Sequence, residues 1–87
     1  MNSRFTLKKE LGQGSFSTIV SAYDHLINEK VALKIEKIDK SKKILQFEYK
    51  VLKYIQGLPH ICSVYDFIES KDSQFQNFIV MQKQGLI

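Results

Sequence analysis

Three short stretches contain residues whose types and spacing could handle phosphate. Gly12-Gln13-Gly14-Ser15-Phe16-Ser17 is a near match to a glycine-rich phosphate loop, with Ser17 standing where a third glycine is usual. Glycine carries no Cβ, so backbone N–H groups can come close to phosphate oxygens. Val31-Ala32-Leu33-Lys34 sets an ammonium late in an apolar segment. The small Ala32 before it leaves a flat patch on which a purine could lie. Glu48 falls within an apolar helical repeat, where a carboxylate is costly without a cation beside it. Lys34 is the natural partner. Each signal is weak alone: the loop could be a plain β-turn, the lysine a surface residue, the glutamate the edge of a stripe.

The elements that would position these residues follow from periodicity. Phe5, Leu7 and Leu11 alternate with Thr6, Lys8 and Glu10, which predicts a half-buried strand whose face Lys9 breaks once. Gly12-Gln13-Gly14 predicts a tight turn. Residues 18–23 and 30–36, rich in β-branched and aromatic side chains, predict two further strands around a polar connection containing Asn28. The period then becomes helical: Ile44, Glu48, Val51, Leu52 and Ile55 recur at the spacing of one face, with Phe47 on the same side. Ser41 suits the N-cap, and Gly57 with Pro59 suits the stop. Residues 63–68 and 75–82 predict two more strands around a polar hairpin loop at 69–73. The order β-β-β-α-β-β predicts an α+β fold, a five-stranded antiparallel sheet with one helix. That context sorts the loop. A dinucleotide fingerprint would open a helix, and a Walker-type loop would need Gly-Lys-Ser/Thr. A loop between antiparallel strands that covers phosphates is the form used by protein kinases.

At 87 residues the chain accommodates one small domain, which buries only about 60–65% of the surface exposed on unfolding. Its formal charge is +4, from 13 Lys and Arg against 9 Asp and Glu. The cations are spread along the chain, with one denser stretch at Lys37, Lys40, Lys42 and Lys43 that is expected to be a solvated helix entrance. The cations do not cluster with the aromatics, and no strand has the pattern of an RNA-recognition motif, so no nucleic-acid partner is expected. The single cysteine, Cys62, has no thiol partner, and His25 and His60 are far apart, so neither a disulfide nor a zinc site is expected. No apolar signal core opens the sequence, Asn2 excludes myristoylation, and no apolar run approaches the roughly 20 residues of a spanning helix. An intracellular, reducing compartment (cytoplasmic or nuclear) without a membrane partner is expected.

The sequence resembles the casein kinase 1 family of serine/threonine protein kinases. The likeness rests on Gly12-Gln13-Gly14-Ser15-Phe16, Val31-Ala32-Leu33-Lys34-Ile35-Glu36, Leu52-Lys53-Tyr54-Ile55-Gln56-Gly57 and Pro59-His60-Ile61, and it runs from Phe5 to Gly85. It implies that residues 1–87 form the N-terminal lobe of a kinase domain, with ATP as substrate and proteins as phosphate acceptors. By that likeness the ATP-binding residues are Leu11, Gly12, Gly14, Ser15, Phe16, Ser17, Ile19, Ala32, Lys34, Met81, Gln82, Lys83 and Gln84. Leu11 and Ile19 would roof the adenine, and Met81 would be the gatekeeper behind it. Residues 82–85 would form the hinge, whose backbone meets the adenine edge. Lys34 would contact the phosphates, and Glu48 would orient it. The family pattern is broken by Ser17, by a shorter segment at 57–60, by a more polar hinge, and by Leu86-Ile87 after the hinge glycine. No catalytic-loop aspartate and no Asp-Phe-Gly occur, so these 87 residues supply neither the catalytic base nor a metal carboxylate. Mg²⁺ is therefore expected only with a full-length kinase. The chain alone is expected to be inactive, a fragment whose coding sequence continues past Ile87 or is misread just before it. The competing expectation is a short, non-catalytic kinase-like interaction protein.

Overall fold

β-branched and aromatic side chains favour extended chain, and where they are densest the strands pair most regularly. The computed structural model describes residues 4–37, 44–59, 61–69 and 77–83. It contains strands β1 (Phe5–Gln13), β2 (Ser17–Asp24), β3 (Glu29–Glu36), β4 (Val64–Ile68) and β5 (Phe78–Gln82), with helix α1 (Ile44–Tyr54) between β3 and β4. Every pairing is antiparallel, in the order β1-β2-β3-β5-β4. The fold is α+β, a five-stranded antiparallel sheet with one helix among the described residues, as the residue pattern predicts. The expected cap Ser41, most of the 69–73 loop and the start of the last predicted strand at 75 lie outside the described residues.

Register decides what each face carries, because directly paired residues point to the same side. Val31, Leu33 and Ile35 of β3 pair with Ala22, Val20 and Thr18 of β2. Leu33 and Ile35 also pair with Val80 and Phe78 of β5. These apolar side chains, with Phe5 and Ile68, form one core. On the opposite face Ala32 and Lys34 pair with Met81 and Ile79, and there α1 packs. Leu45, Val64 and Ile79 form this second core, with Tyr49, Leu52, Phe67 and Met81 against it.

The alternation predicted for β1 holds only at its start. The ladder slips register between Leu7 and Glu10 and again between Glu10 and Gly12. Such bulges leave backbone groups without a ladder partner. Here Ser21 Oγ supplies one, accepting from the Lys9 N–H and donating to the Lys9 carbonyl, both at 3.2 Å. Leu7 is consequently half exposed. The predicted turn is also displaced. Gly12 and Gln13 still pair with Ile19 and Thr18, and the hairpin closes where the Gly14 N–H donates to the Ser17 carbonyl at 2.8 Å. Ser15 and Phe16 therefore form its two-residue tip.

The helix buries a face rotated from the one expected, with Leu52 and Glu48 common to both. Phe47 and Val51 are exposed, at 69% and 42%, while Leu45 is enclosed. The sequence carries two apolar rows, and the packed one is Leu45, Tyr49 and Leu52, with Glu48 at its border. Gly57 ends the helix region with φ of 94°, the left-handed conformation anticipated for it. Asn28 takes φ of 55° in the β2–β3 connection, a conformation that asparagine tolerates better than most residues.

Candidate functional site

The phosphate-loop residues and the lysine come together because β1, β2 and β3 are consecutive neighbours. Gly12 pairs with Ile19, and Ile19 pairs with Lys34, so the root of the glycine hairpin, an apolar side chain and an ammonium lie abreast on one face. Ala32 and Met81 pair on that same face. Lys34 Nζ forms an ion pair and hydrogen bond with Glu48 Oε2 across the gap between strand and helix. This is the contact anticipated for a carboxylate near an apolar helical face. The two side chains keep 22% and 34% exposure, so the pair adds little stability. Its effect is positional: it fixes the ammonium against the sheet.

Neither loop glycine is required by the chain's own geometry. Among the described residues the only glycine with positive φ is Gly57. A Cβ built on Gly12 would meet nothing within 4 Å, and one on Gly14 only the Ser17 carbonyl oxygen at 3.8 Å, an ordinary contact. Bare backbone there leaves open space beside the hairpin. The expected approach of phosphate oxygens has that space, with Lys34 on the same face two strands away, but the Gly14 N–H is already taken by the Ser17 carbonyl. A divalent metal is not fitted in the same way: among the described residues no three His, Cys, Asp or Glu side chains come together to hold one.

The remaining expected residues are less convergent. Ser15 and Phe16 stand out at the hairpin tip, with Phe16 55% exposed. The Phe16 carbonyl accepts from the Lys37 N–H at 2.9 Å, which ties the tip to the end of β3. Ser17 is nearly buried opposite Glu36. Leu11 is half-buried at the register slip preceding Gly12. Gln82 and Lys83 are exposed, and the Gln82 N–H already donates to the Ser63 carbonyl at 2.8 Å. The Gln82 N–H is therefore already engaged and not open to an adenine edge. Gln84 lies outside the described residues.

Residue-by-residue reading missed two groups that hold this arrangement. Gln56 Nε2 donates to the carbonyls of Leu52 and Cys62, at 3.0 and 2.9 Å, and its Oε1 accepts from the Val64 N–H at 3.2 Å. One amide thereby ties the end of α1 to the start of β4. Asp24, fully enclosed, receives Arg4 Nε and Nη2 at 2.9 and 2.8 Å. The Arg4 bonds hold its carboxyl below the usual range against the opposing effect of burial, with the Leu26 N–H assisting. Arg4 and Asp24 are 20 residues apart and leave no local signal, and a glutamine near a helix end reads as ordinary surface.

Comparison with known proteins agrees with this geometry. Residues 5–86 match the family described as the protein kinase domain. A probable serine/threonine-protein kinase of Dictyostelium discoideum is 36% identical over 85 residues, which cover 98% of this chain and 17% of that protein. The casein kinase II subunit alpha' of Saccharomyces cerevisiae is 30% identical over 77 residues, covering 88% of this chain and 22% of that protein. The chain thus spans about a fifth of the length of these curated relatives. With a glycine hairpin, a strand lysine paired to a helix glutamate, and this match over nearly its whole length, the chain belongs to the protein kinase domain family.

Proposed function

We propose that these residues are the ATP-cradling N-terminal lobe of an intracellular serine/threonine protein kinase, similar in motif wording to casein kinase 1. The single observation that carries the reading is the Lys34–Glu48 pair beside a hairpin whose glycines the fold itself does not need. The likeness to casein kinase 1 rests on the stretches 12–16, 31–36 and 52–61. The yeast relative bears the name of a different casein kinase.

In this proposal the backbone of 12–17 meets the phosphates, Lys34 neutralises charge on them, and Glu48 keeps Lys34 aimed. Ile19, Ala32 and Met81 shape the adenine side, with the carbonyl of Gln82 and the neighbouring backbone at its edge. Phosphoryl transfer works through positioning and charge neutralisation. The carboxylates that accept the acceptor hydroxyl's proton and hold Mg²⁺ do not occur in this sequence. Transfer to protein substrates therefore belongs to a longer chain that carries them.

The test is ATP binding and phosphate transfer by the 87-residue chain and by its Lys34→Met variant. Saturable ATP binding, lost in the variant, with only background labelling of an acidic protein such as casein, is the expected result. Equal ATP binding by both proteins would remove the phosphate role of Lys34. Robust transfer abolished by Lys34→Met would show that the missing carboxylates are dispensable.

A further inference from the structure

The fold gathers cations that look scattered in the sequence. Lys8, Lys9, Lys30 and Lys83 all line one open groove of about 640 Å³. Lys8 and Lys9 reach it from the register slip of β1, which Ser21 Oγ fixes by bonding both backbone groups of Lys9. Lys30 stands opposite Tyr23 in the β2–β3 pairing, and Lys83 follows the end of β5. Leu7, Ala22 and Tyr23 supply apolar wall, and the Tyr23 ring is braced edge-on by His25 at 5.0 Å between centroids.

No acidic residue is among those lining the groove, and neither Lys34 nor Ile19, Ala32 or Met81 lines it. It lies on the same face as the Lys34–Glu48 pair but farther along the strands, toward the β2–β3 connection, and among the described residues it shares only Lys83 with the expected nucleotide set. Four like charges around one concavity repel one another and focus a positive potential into it. An anion relieves that repulsion. A groove of roughly 300–1,000 Å³ suits a small molecule, and one phosphate, with about two negative charges at neutral pH, leaves part of the charge of four ammonium groups unmatched. Lysine meets phosphate as a flexible point charge, so several phosphates on one small scaffold match the charge of this set. We propose that the groove is a second anion site, which takes a small ligand carrying two or more phosphate groups, either free or as the headgroup of a phosphorylated lipid. This inference does not depend on ATP binding elsewhere in the chain.

The test measures binding of inorganic tripolyphosphate to the full chain by calorimetry at about 0.15 M salt, where surface charges are substantially screened. Three proteins are compared: the parent, a Lys8→Gln/Lys9→Gln/Lys30→Gln variant, and a Lys50→Gln/Lys53→Gln control that removes exposed helix charge. The altered lysines are exposed, and a matching thermal transition verifies that each variant folds. At least tenfold weaker binding in the groove variant, with the control unchanged, is the expected result. Loss of binding in Lys34→Met with the groove variant unaffected would overturn the proposal, because the anion would then sit at Lys34 rather than in the groove. Equal weakening in the control would overturn it as well, by showing a response to net charge alone. Flotation with phosphatidylcholine vesicles containing phosphatidylinositol bisphosphate separates the sources. Vesicle binding that the groove variant loses assigns the lipid headgroup, and tripolyphosphate binding without vesicle binding assigns a free anion. Absence of both overturns the site.

Discussion

Gly12 and Gly14 can be separated from Gly57 by what each position demands. Gly57 holds a φ that L side chains rarely adopt, whereas the loop glycines have neither positive φ nor a neighbour that a methyl group would strike. Alanine at Gly12 or Gly14 is therefore expected to leave stability unchanged or raise it by about 0.4–1 kcal/mol, through reduced freedom of the unfolded chain. Alanine at Gly57 is expected to lose roughly 1 kcal/mol. ATP affinity should fall in the loop variants and hold in Gly57→Ala. Chemical denaturation with a parallel nucleotide titration checks this. A large stability loss in Gly12→Ala would mean that the loop glycines serve the fold rather than a ligand. Residues of this kind were legible from sequence because their chemistry is local or anomalous: a glycine pair beside a strand, or a carboxylate on an apolar helix. Gln56 was not legible. Its amide satisfies three backbone groups, yet a glutamine near a helix end reads as ordinary surface. Arg4 and Asp24 are 20 residues apart, and nothing near either one announces the other.

At the scale of elements, the strands were legible where β-branched residues cluster, and β2 and β3 extend only a residue or so beyond the expected spans. Periodicity failed on the helix because α1 has two apolar rows, and spacing alone cannot say which one meets the sheet. Packing on the sheet selects the row: Leu45, Tyr49 and Leu52 meet β4 and β5, Phe47 and Val51 stay outward, and Glu48 at the border reaches Lys34. The energetic consequence is large and testable. Leu45→Ala is expected to destabilise by about 2–4 kcal/mol, since it removes a fully enclosed side chain. Phe47→Ser is expected to stay within about 0.5 kcal/mol, as for other exposed positions. Comparable losses from both, measured by urea unfolding, would mean that the helix packs through the row that periodicity first suggested. β1 failed for another reason. Its bulges shift parity partway along, and a bulge held by a serine on the next strand is invisible to a count of alternating residues.

Across the whole molecule, the sheet is drawn round so that its first and last strands meet the same side chain. Arg4 bonds Asp24 at the end of β2 and also reaches Asp66 of β4, with Nη1 to Oδ2 at 3.4 Å. Its guanidinium lies over the Phe5 ring at 4.7 Å, and Phe5 packs edge-on against Phe78 of β5, with ring centroids 5.5 Å apart. The clasp therefore closes one end of the core between β1 and β5, in a chain too short to have much stability in reserve. Its weak point is acid. The Asp24 carboxyl has a lowered pKa in the fold, chiefly from the Arg4 hydrogen bond, and Arg4 is raised and stays charged throughout. A carboxyl whose folded value is depressed contributes stability above its unfolded value of about 3.9, and that contribution fades as pH falls through the folded value. Stability of the parent chain is expected to decline steeply below about pH 4. Asp24→Asn should begin lower at neutral pH, by roughly 1.5–3 kcal/mol, and should decline less over the same acid range because the group that titrates is gone. Urea midpoints from pH 7 to 3 for the two proteins measure the difference. If the two curves fall in parallel, the clasp does not set acid stability, and carboxylates elsewhere in the chain do.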